Sequence, residues 1–136
     1  MWNSEQEATT MASPEQVWAI YTNTQNRLAW ETGIESVSLD GPFEVGTKGK
    51  ITPTGRPPRE FTIVDCVPNQ SFADESRFGP IVVRLTHSLE ALPGGGTKIV
   101  HGVVVDGSAD DEVVIGPRIA GDFESTLARL VALAEA

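Results

Sequence analysis

RLTHSLEALPGGGTKIVH, residues 84–101, sets two runs of alternating apolar and polar residues on either side of a Pro-Gly-Gly-Gly turn. Period-two alternation marks half-buried strands, and a short glycine-rich interruption marks a hairpin. Extended back to Ile81, the first run places Ile81, Val83, Leu85, His87, Leu89 and Ala91 on one face. Val82, Arg84, Thr86, Ser88 and Glu90 fall on the other, because successive side chains in a strand point to opposite sides. The first set is the apolar one, so His87 is predicted to face inward. After the turn, Thr97, Ile99, His101, Val103 and Val105 share a face, while Lys98 and Asp106 mark the opposite face as the wet one. Pairing Ala91 with Thr97 across a loop of residues 92–96 sets Leu89 against Ile99 and His87 against His101. Directly opposed residues hold their Cβ atoms ~5 Å apart. The only two histidines of the chain are therefore predicted to meet on the concave side of a sheet.

The same period and the same turn chemistry extend upstream. IESVSLD ends at Gly41-Pro42, and TKGKITP follows Gly46 and ends at Thr54-Gly55. REFTIVDCV lies between Pro57-Pro58 and Pro68-Asn69, and SFADESRF ends at Gly79-Pro80. With a further strand over Trp2 to Met11, the count is seven. Between the first strand and the rest, ASPEQVWAIYTN predicts a helix with Ser13 as cap, Pro14 in its first turn and Gln16 completing a capping box. NTQNRLAW predicts a second short helix, capped by Thr24 and anchored by Leu28 and Trp30. After Ser108, three acidic residues (Asp110, Asp111, Glu112) suit a helix start. Ile115, Ile119, Phe123, Leu127, Leu130 and Ala134 then recur at helical spacing, with a kink or fresh start expected at Pro117. Consecutive strands with tight turns make an antiparallel sheet. A seven-stranded sheet of this kind curls, and the long helix fills its concave side.

The chain has 136 residues, of which 10 are basic and 19 acidic, for a net charge of −9. One domain spanning 1–136 is expected. The charge speaks against nucleic acid and against an anionic membrane surface. No apolar run reaches the ~20 residues of a membrane span. The polar, acidic start does not resemble a signal peptide, so a cytoplasmic location is expected. The single cysteine, Cys66, excludes an internal disulfide and a thiolate metal cluster. PGGGT lacks the spacing and lysine of a phosphate loop. Two histidines are too few for most metal centres, so neither metal nor cofactor is expected. Monomer and homodimer are both compatible with the sequence.

ASPEQVW after a first strand, Trp30 further on, GTKGKI and PGGGTKIVHGVVVDG resemble the START-related polyketide cyclase/dehydrase and lipid transport superfamily (SRPBCC). The resemblance covers nearly the whole chain and rests on the order of its motifs. It implies an α+β helix-grip fold: a curved seven-stranded antiparallel sheet around a long C-terminal helix, with two short helices after the first strand. It also implies an apolar cavity between sheet and helix. It brings no catalytic signature that could be carried over to residues of this chain.

The function expected from these features is binding of a small hydrophobic or aromatic molecule, lipid-like or polyketide-like. Its walls would be Ile81, Val83, Leu85 and Leu89 on one strand, Ile99 and Val103 on the next, and Ile115, Ile119 and Phe123 on the last helix. A few polar groups would orient the ligand. The alternative is a cyclase or dehydratase in which His87 and His101 serve as acid and base, with Tyr21 or Asp65 assisting. Tyr21 could reach the cavity mouth or simply pack helix to sheet. Asp65 lies in a strand that is apolar on both faces, so parity does not decide its direction. Arg77 and Arg84 fit the solvated convex face. A third alternative is a protein-interaction module, which would show a contiguous exposed apolar patch.

Overall fold

The computed structural model describes residues 1–136, apart from the side chain of Phe78. In chain order the elements are β1 (Trp2–Thr10), α1 (Pro14–Thr22), a 3-10 helix (Thr24–Ala29), β2 (Ile34–Leu39), β3 (Lys48–Pro53), β4 (Arg59–Val67), β5 (Ser71–Phe78), β6 (Ile81–Ala91), β7 (Thr97–Asp106), α2 (Ala109–Ala120) and α3 (Phe123–Ala134). The strands form one antiparallel sheet in the order β1-β7-β6-β5-β4-β3-β2, curled into a half-barrel. Each step from β2 to β7 joins spatial neighbours, which is why turn residues alone revealed these strands. β1 is added at the far edge, against β7. This is the expected helix-grip α+β architecture.

Local chemistry accounts for the helix starts. Ser13 accepts from the backbone of Gln16, and the Gln16 side chain accepts from the backbone of Ser13, closing the capping box. Ser108 accepts from the backbone of Asp111 and opens α2. The second short helix departs from expectation. It is a 3-10 helix that begins at Thr24 itself, follows Asn23 and has no side-chain cap. A 3-10 helix repeats every three residues, so Arg27 and Trp30 face the core together and Leu28 points to solvent at 48% exposure. Arg27 takes the anchoring place expected of Leu28.

The C-terminal helical stretch does not break at Pro117. Proline disturbs the turn before it and leaves the following N–H groups intact. The helix therefore runs on to Gly121, whose N–H still reaches the Pro117 carbonyl at 2.9 Å. α3 begins after Asp122. Gly116 lets α2 lie against the sheet edge, since a methyl group there would run into the Trp2 ring.

Three apolar clusters hold the grip together. One joins Val17, Tyr21 and Trp30 to Phe72, Leu89 and Ile99 of the sheet and to Leu127 and Leu130 of α3. A second joins Val83, Leu85, Val103 and Val105 to Ala120 and Phe123. The third is Ile51, Phe61 and Ile63 on β3 and β4. Each large side chain buried here contributes ~1.5–3 kcal/mol relative to exposure. A bulge in β4 lies between Ile63 and Asp65. It restores Cys66 to the inner face, beside the first cluster, and turns Asp65 outward.

Candidate functional site

The hairpin β6–β7 has the register expected from its loop: Ala91 opposite Thr97, Leu89 opposite Ile99 and His87 opposite His101. The glycines of the turn, Gly94, Gly95 and Gly96, all have positive φ, which allows the five-residue loop to close. The two imidazole rings lie 4.8 Å apart, edge to face, and both are buried, at 6% and 2% exposure.

Their surroundings assign their protons. His87 stacks on the Phe72 ring at 3.8 Å, and its Nδ1 lies 3.2 Å from the Phe72 carbonyl oxygen. A carbonyl only accepts, so Nδ1 carries the hydrogen and Nε2 keeps a lone pair. His101 Nε2 lies 2.7 Å from the Tyr21 hydroxyl. Burial pushes the His101 pKa down to about 3, aided by the Arg27 charge. Burial, then His101 and Arg27, holds His87 well below the usual imidazole range. Both rings are neutral at pH 7. Burial also raises the Tyr21 phenol, which keeps its proton.

A cavity of about 920 Å³ opens between sheet and helices and touches all three apolar clusters. Leu85, His87 and His101 form its floor, Ile115, Ile119 and Phe123 its helical wall, and Trp30, Ile34 and Ile51 the wall opposite. The exposed residues Arg56, Pro57 and Pro58, Arg118 of α2 and Asp122 between α2 and α3 surround the mouth.

A charged group lies beside the floor. Arg27, 4% exposed, pairs with Glu31 four residues on, and its guanidinium lies 5.1 Å from the centre of the Trp30 ring. Burial disfavours the Arg27 charge, but Glu31 outweighs it and the pKa is raised. Asp74, on the inner face of β5, is 6% exposed. Burial lifts its carboxyl to about 7, against the opposing pull of Arg27 and Arg59 and with a further push from Glu31. Arg59, at the start of β4, is lowered by burial while Asp74 and Glu31 pull it back up. Trp30 Nε1 and Arg59 Nε are buried with no hydrogen-bond partner among the described residues.

A model of the polyketide cyclase / dehydrase and lipid transport family matches residues 1–135. The chain belongs to this family. Solved structures share its fold at low identity. Protein MLL2253 from Mesorhizobium loti is similar at TM-score 0.79 and 16% identity, covering 98% of this chain and 97% of that one. Ara h 8.0201 is similar at TM-score 0.72 and 19% identity over the same shares. DynU16, a putative protein in the dynemicin biosynthetic locus, is similar at TM-score 0.74 and 14% identity, over 98% of this chain and 47% of that one. No curated protein matches.

Within this polyketide cyclase / dehydrase grip, the expected wall residues divide. Leu85, Ile115, Ile119 and Phe123 line the cavity together with His87 and His101. Val83, Val103, Leu89 and Ile99 face inward but are packed into the first two clusters, and Ile81 packs against the second. They support the site from behind. Tyr21 is 1% exposed in the first cluster, beneath the cavity floor and not at its mouth. Asp65 does not join the site: the β4 bulge leaves it exposed, where it accepts from Ser71 at 3.2 Å. Arg84 and Arg77 both pair with Glu75 on the outer face, and Arg77 also borders the cavity. Sequence reasoning missed Arg27, Glu31, Arg59 and Asp74. The three-residue spacing of Arg27 and Trp30 was a usable signal. For Arg59, next to a Pro-Pro turn, there was none. Among the described residues, no three His, Cys, Asp or Glu side chains converge as they would on a metal ion, and no helix is long and apolar enough to cross a membrane.

Proposed function

We propose that this protein binds a small hydrophobic or aromatic molecule, lipid-like or polyketide-like, inside the grip. The observation that carries this is the cavity itself. Its volume of about 920 Å³ falls within the ~300–1,000 Å³ of small-molecule sites; Leu85, Ile115, Ile119, Phe123 and Ile51 give it apolar surface, and charged residues such as Glu31, Arg59 and Arg118 share the lining. Membership of a family described by cyclisation, dehydration and lipid transport supports the same class of ligand. His87 Nε2 offers a hydrogen-bond acceptor at the floor, its direction set by the Phe72 carbonyl. A cytoplasmic working place belongs to the proposal and is supported by the unpaired Cys66.

The enzymatic alternative has less behind it. A general base works best with a pKa near the working pH, and His101 at about 3 is far from that. The interaction-module alternative needs a contiguous apolar patch. Of the exposed large apolar side chains among the described residues, Met11, Leu28, Val45 and Val67 come from four separate elements and loops, and only Val113 and Val114 of α2, with Met1 near Glu112, lie together.

The test is a calorimetric titration with a panel of aromatic ketones, aromatic acids and fatty acids, run on the natural protein and on Ile119→Trp. Ile119 is half-buried on the cavity wall, so the larger ring occupies ligand space without displacing the core. Saturable one-to-one binding that Ile119→Trp abolishes is the expected result. Binding that survives this substitution would move the site elsewhere, and no binding across the panel would refute the proposal.

A further inference from the structure

We propose that the cavity contains a carboxylate subsite built from the Nε–H groups of Arg59 and Trp30, so that the ligand is an apolar or aromatic carboxylic acid held as its anion. The inference rests on the binding function proposed above and names its ligand class.

Two observations converge on it. Arg59 Nε and Trp30 Nε1 are buried and unpartnered among the described residues, and both residues line the same cavity. A buried donor without an acceptor is costly to keep. Trp30 is 1% exposed, so its N–H is held in place by packing. The indole nitrogen donates only, and so does the guanidinium. Two donors on different elements suit an acceptor that presents two oxygens, as a carboxylate does.

The charge balance favours an anion over a neutral acceptor. Arg27 is committed to Glu31. Arg59 forms no ion pair among the described residues; the nearby carboxylates that act on it are Asp74 and Glu31. Glu31 is shared with Arg27, and Asp74 is only partly ionised near neutrality because burial disfavours its charge. The group Arg27, Glu31, Arg59 and Asp74 is thus short of negative charge at pH 7. A ligand carboxylate supplies it, through charge-assisted bonds roughly twice as strong as neutral ones.

The experiment compares 2-naphthoate with 2-acetonaphthone, which share a ring system and differ in the carboxylate. Both are titrated calorimetrically at pH 7 into the natural protein, Arg59→Gln and Trp30→Phe, with circular dichroism melts to confirm folding. The natural protein should prefer the acid by about tenfold or more, the value of one bond to a charged group. Arg59→Gln should cut that preference to within about twofold because the acid loses more affinity than the ketone, and Trp30→Phe should likewise weaken the acid more than the ketone. Equal affinities for acid and ketone in the natural protein would overturn the subsite while leaving the binding function standing. That comparison needs no variant, so a misfolded Arg59→Gln does not shield the proposal. Equal loss of both ligands in a folded Arg59→Gln would also overturn it. Failure of both ligands to bind the natural protein would remove the binding function and the subsite together.

Discussion

Replacing Tyr21 with phenylalanine isolates the hydrogen bond beneath the cavity floor. The Tyr21 ring is 1% exposed and meets Trp18, Trp30 and Phe72 in edge-on contacts. Phenylalanine keeps that ring, so apolar burial and aromatic geometry persist. The loss is one oxygen, 2.7 Å from His101 Nε2. His101 is 2% exposed, so its nitrogen is left buried without that partner, at a cost of ~1–3 kcal/mol. At ~4 °C per kcal/mol for a domain of this size, the melting temperature should fall by ~4–12 °C. Urea denaturation followed by circular dichroism measures the free energy directly. A double-mutant cycle with His101→Leu separates the bond from the side chains, and a coupling of ~1–3 kcal/mol is expected. The double variant, with both partners apolar, should recover part of the loss. Tyr21 does not line the cavity, so ligand affinity should hold within about twofold while stability drops. Unchanged stability with zero coupling would refute the placement of this bond. Lost affinity with unchanged stability would put the hydroxyl in the binding wall and refute the division between floor and support.

The buried titratable groups predict opposing slopes in acid. His87 and His101 have folded-state pKa values below 6.5, so the unfolded chain takes up more protons as pH falls past about 6.5 and stability drops. Asp74, at about 7 when folded against an ordinary 3.8, works the other way: its contribution is full below about 3.8 and is lost as pH rises through about 7. Between about pH 4.5 and 6 it offsets one of the two histidine protons. Asp74→Asn should therefore steepen the loss of stability on acidification by ~1.4 kcal/mol per pH unit, as read from urea midpoints across that range; parallel profiles would count against a buried, protonated Asp74. Gly116→Val drives a branched side chain into the Trp2 ring and should cost ~1–3 kcal/mol by overpacking, seen in denaturation and in Trp2 fluorescence; a neutral effect would mean that α2 does not seat on β1. Ser13→Ala removes half of the α1 capping box and should cost ~1 kcal/mol in the same assay, and no measurable loss would show the cap to be idle.

What was legible in the letters was whatever depends on neighbours in sequence. The strands announced themselves because side chains alternate and because Gly, Pro and Asn punctuate them. The inward facing of both histidines followed from parity, and the five-residue loop between Ala91 and Thr97 then set His87 directly opposite His101, where a shift of two residues would have made them diagonal neighbours. The direction of Asp65 stayed open because its strand is apolar on both faces, and no residue type compels the bulge that turns it outward. Arg27, Arg59 and Asp74 were hidden for another reason. A charged residue is buried only when partners from distant elements compensate it. Glu31 lies close in sequence, but Arg59 and Asp74 come from different strands and meet only once the sheet has curled. The cavity walls divided for the same reason: Leu89 and Leu85 share one face of one strand, and only the crossing of α1 and α3 covers the first and leaves the second open.

The polar groups that remain free in the cavity decide between holding a ligand and transforming one. His101 is occupied by Tyr21, and Arg27 by Glu31. The unpartnered functions that bear on the ligand class are the His87 Nε2 lone pair at the floor and the N–H donors of Arg59 and Trp30. A molecule bearing a hydroxyl and a carboxylate would satisfy them all, which is recognition chemistry. Proton abstraction needs a base matched to the working pH. Neither histidine provides one, since burial and the nearby Arg27 charge keep both rings neutral by making them weak bases. The one buried group with a suitable pKa is Asp74, at about 7, and it stands behind the wall beside Arg59. Asp74 does not line the cavity, so a reaction that used it as base would have to reach it past that wall. In that case Asp74→Asn would abolish turnover and His87→Leu would mainly weaken binding, the reverse of what an acid–base histidine pair requires.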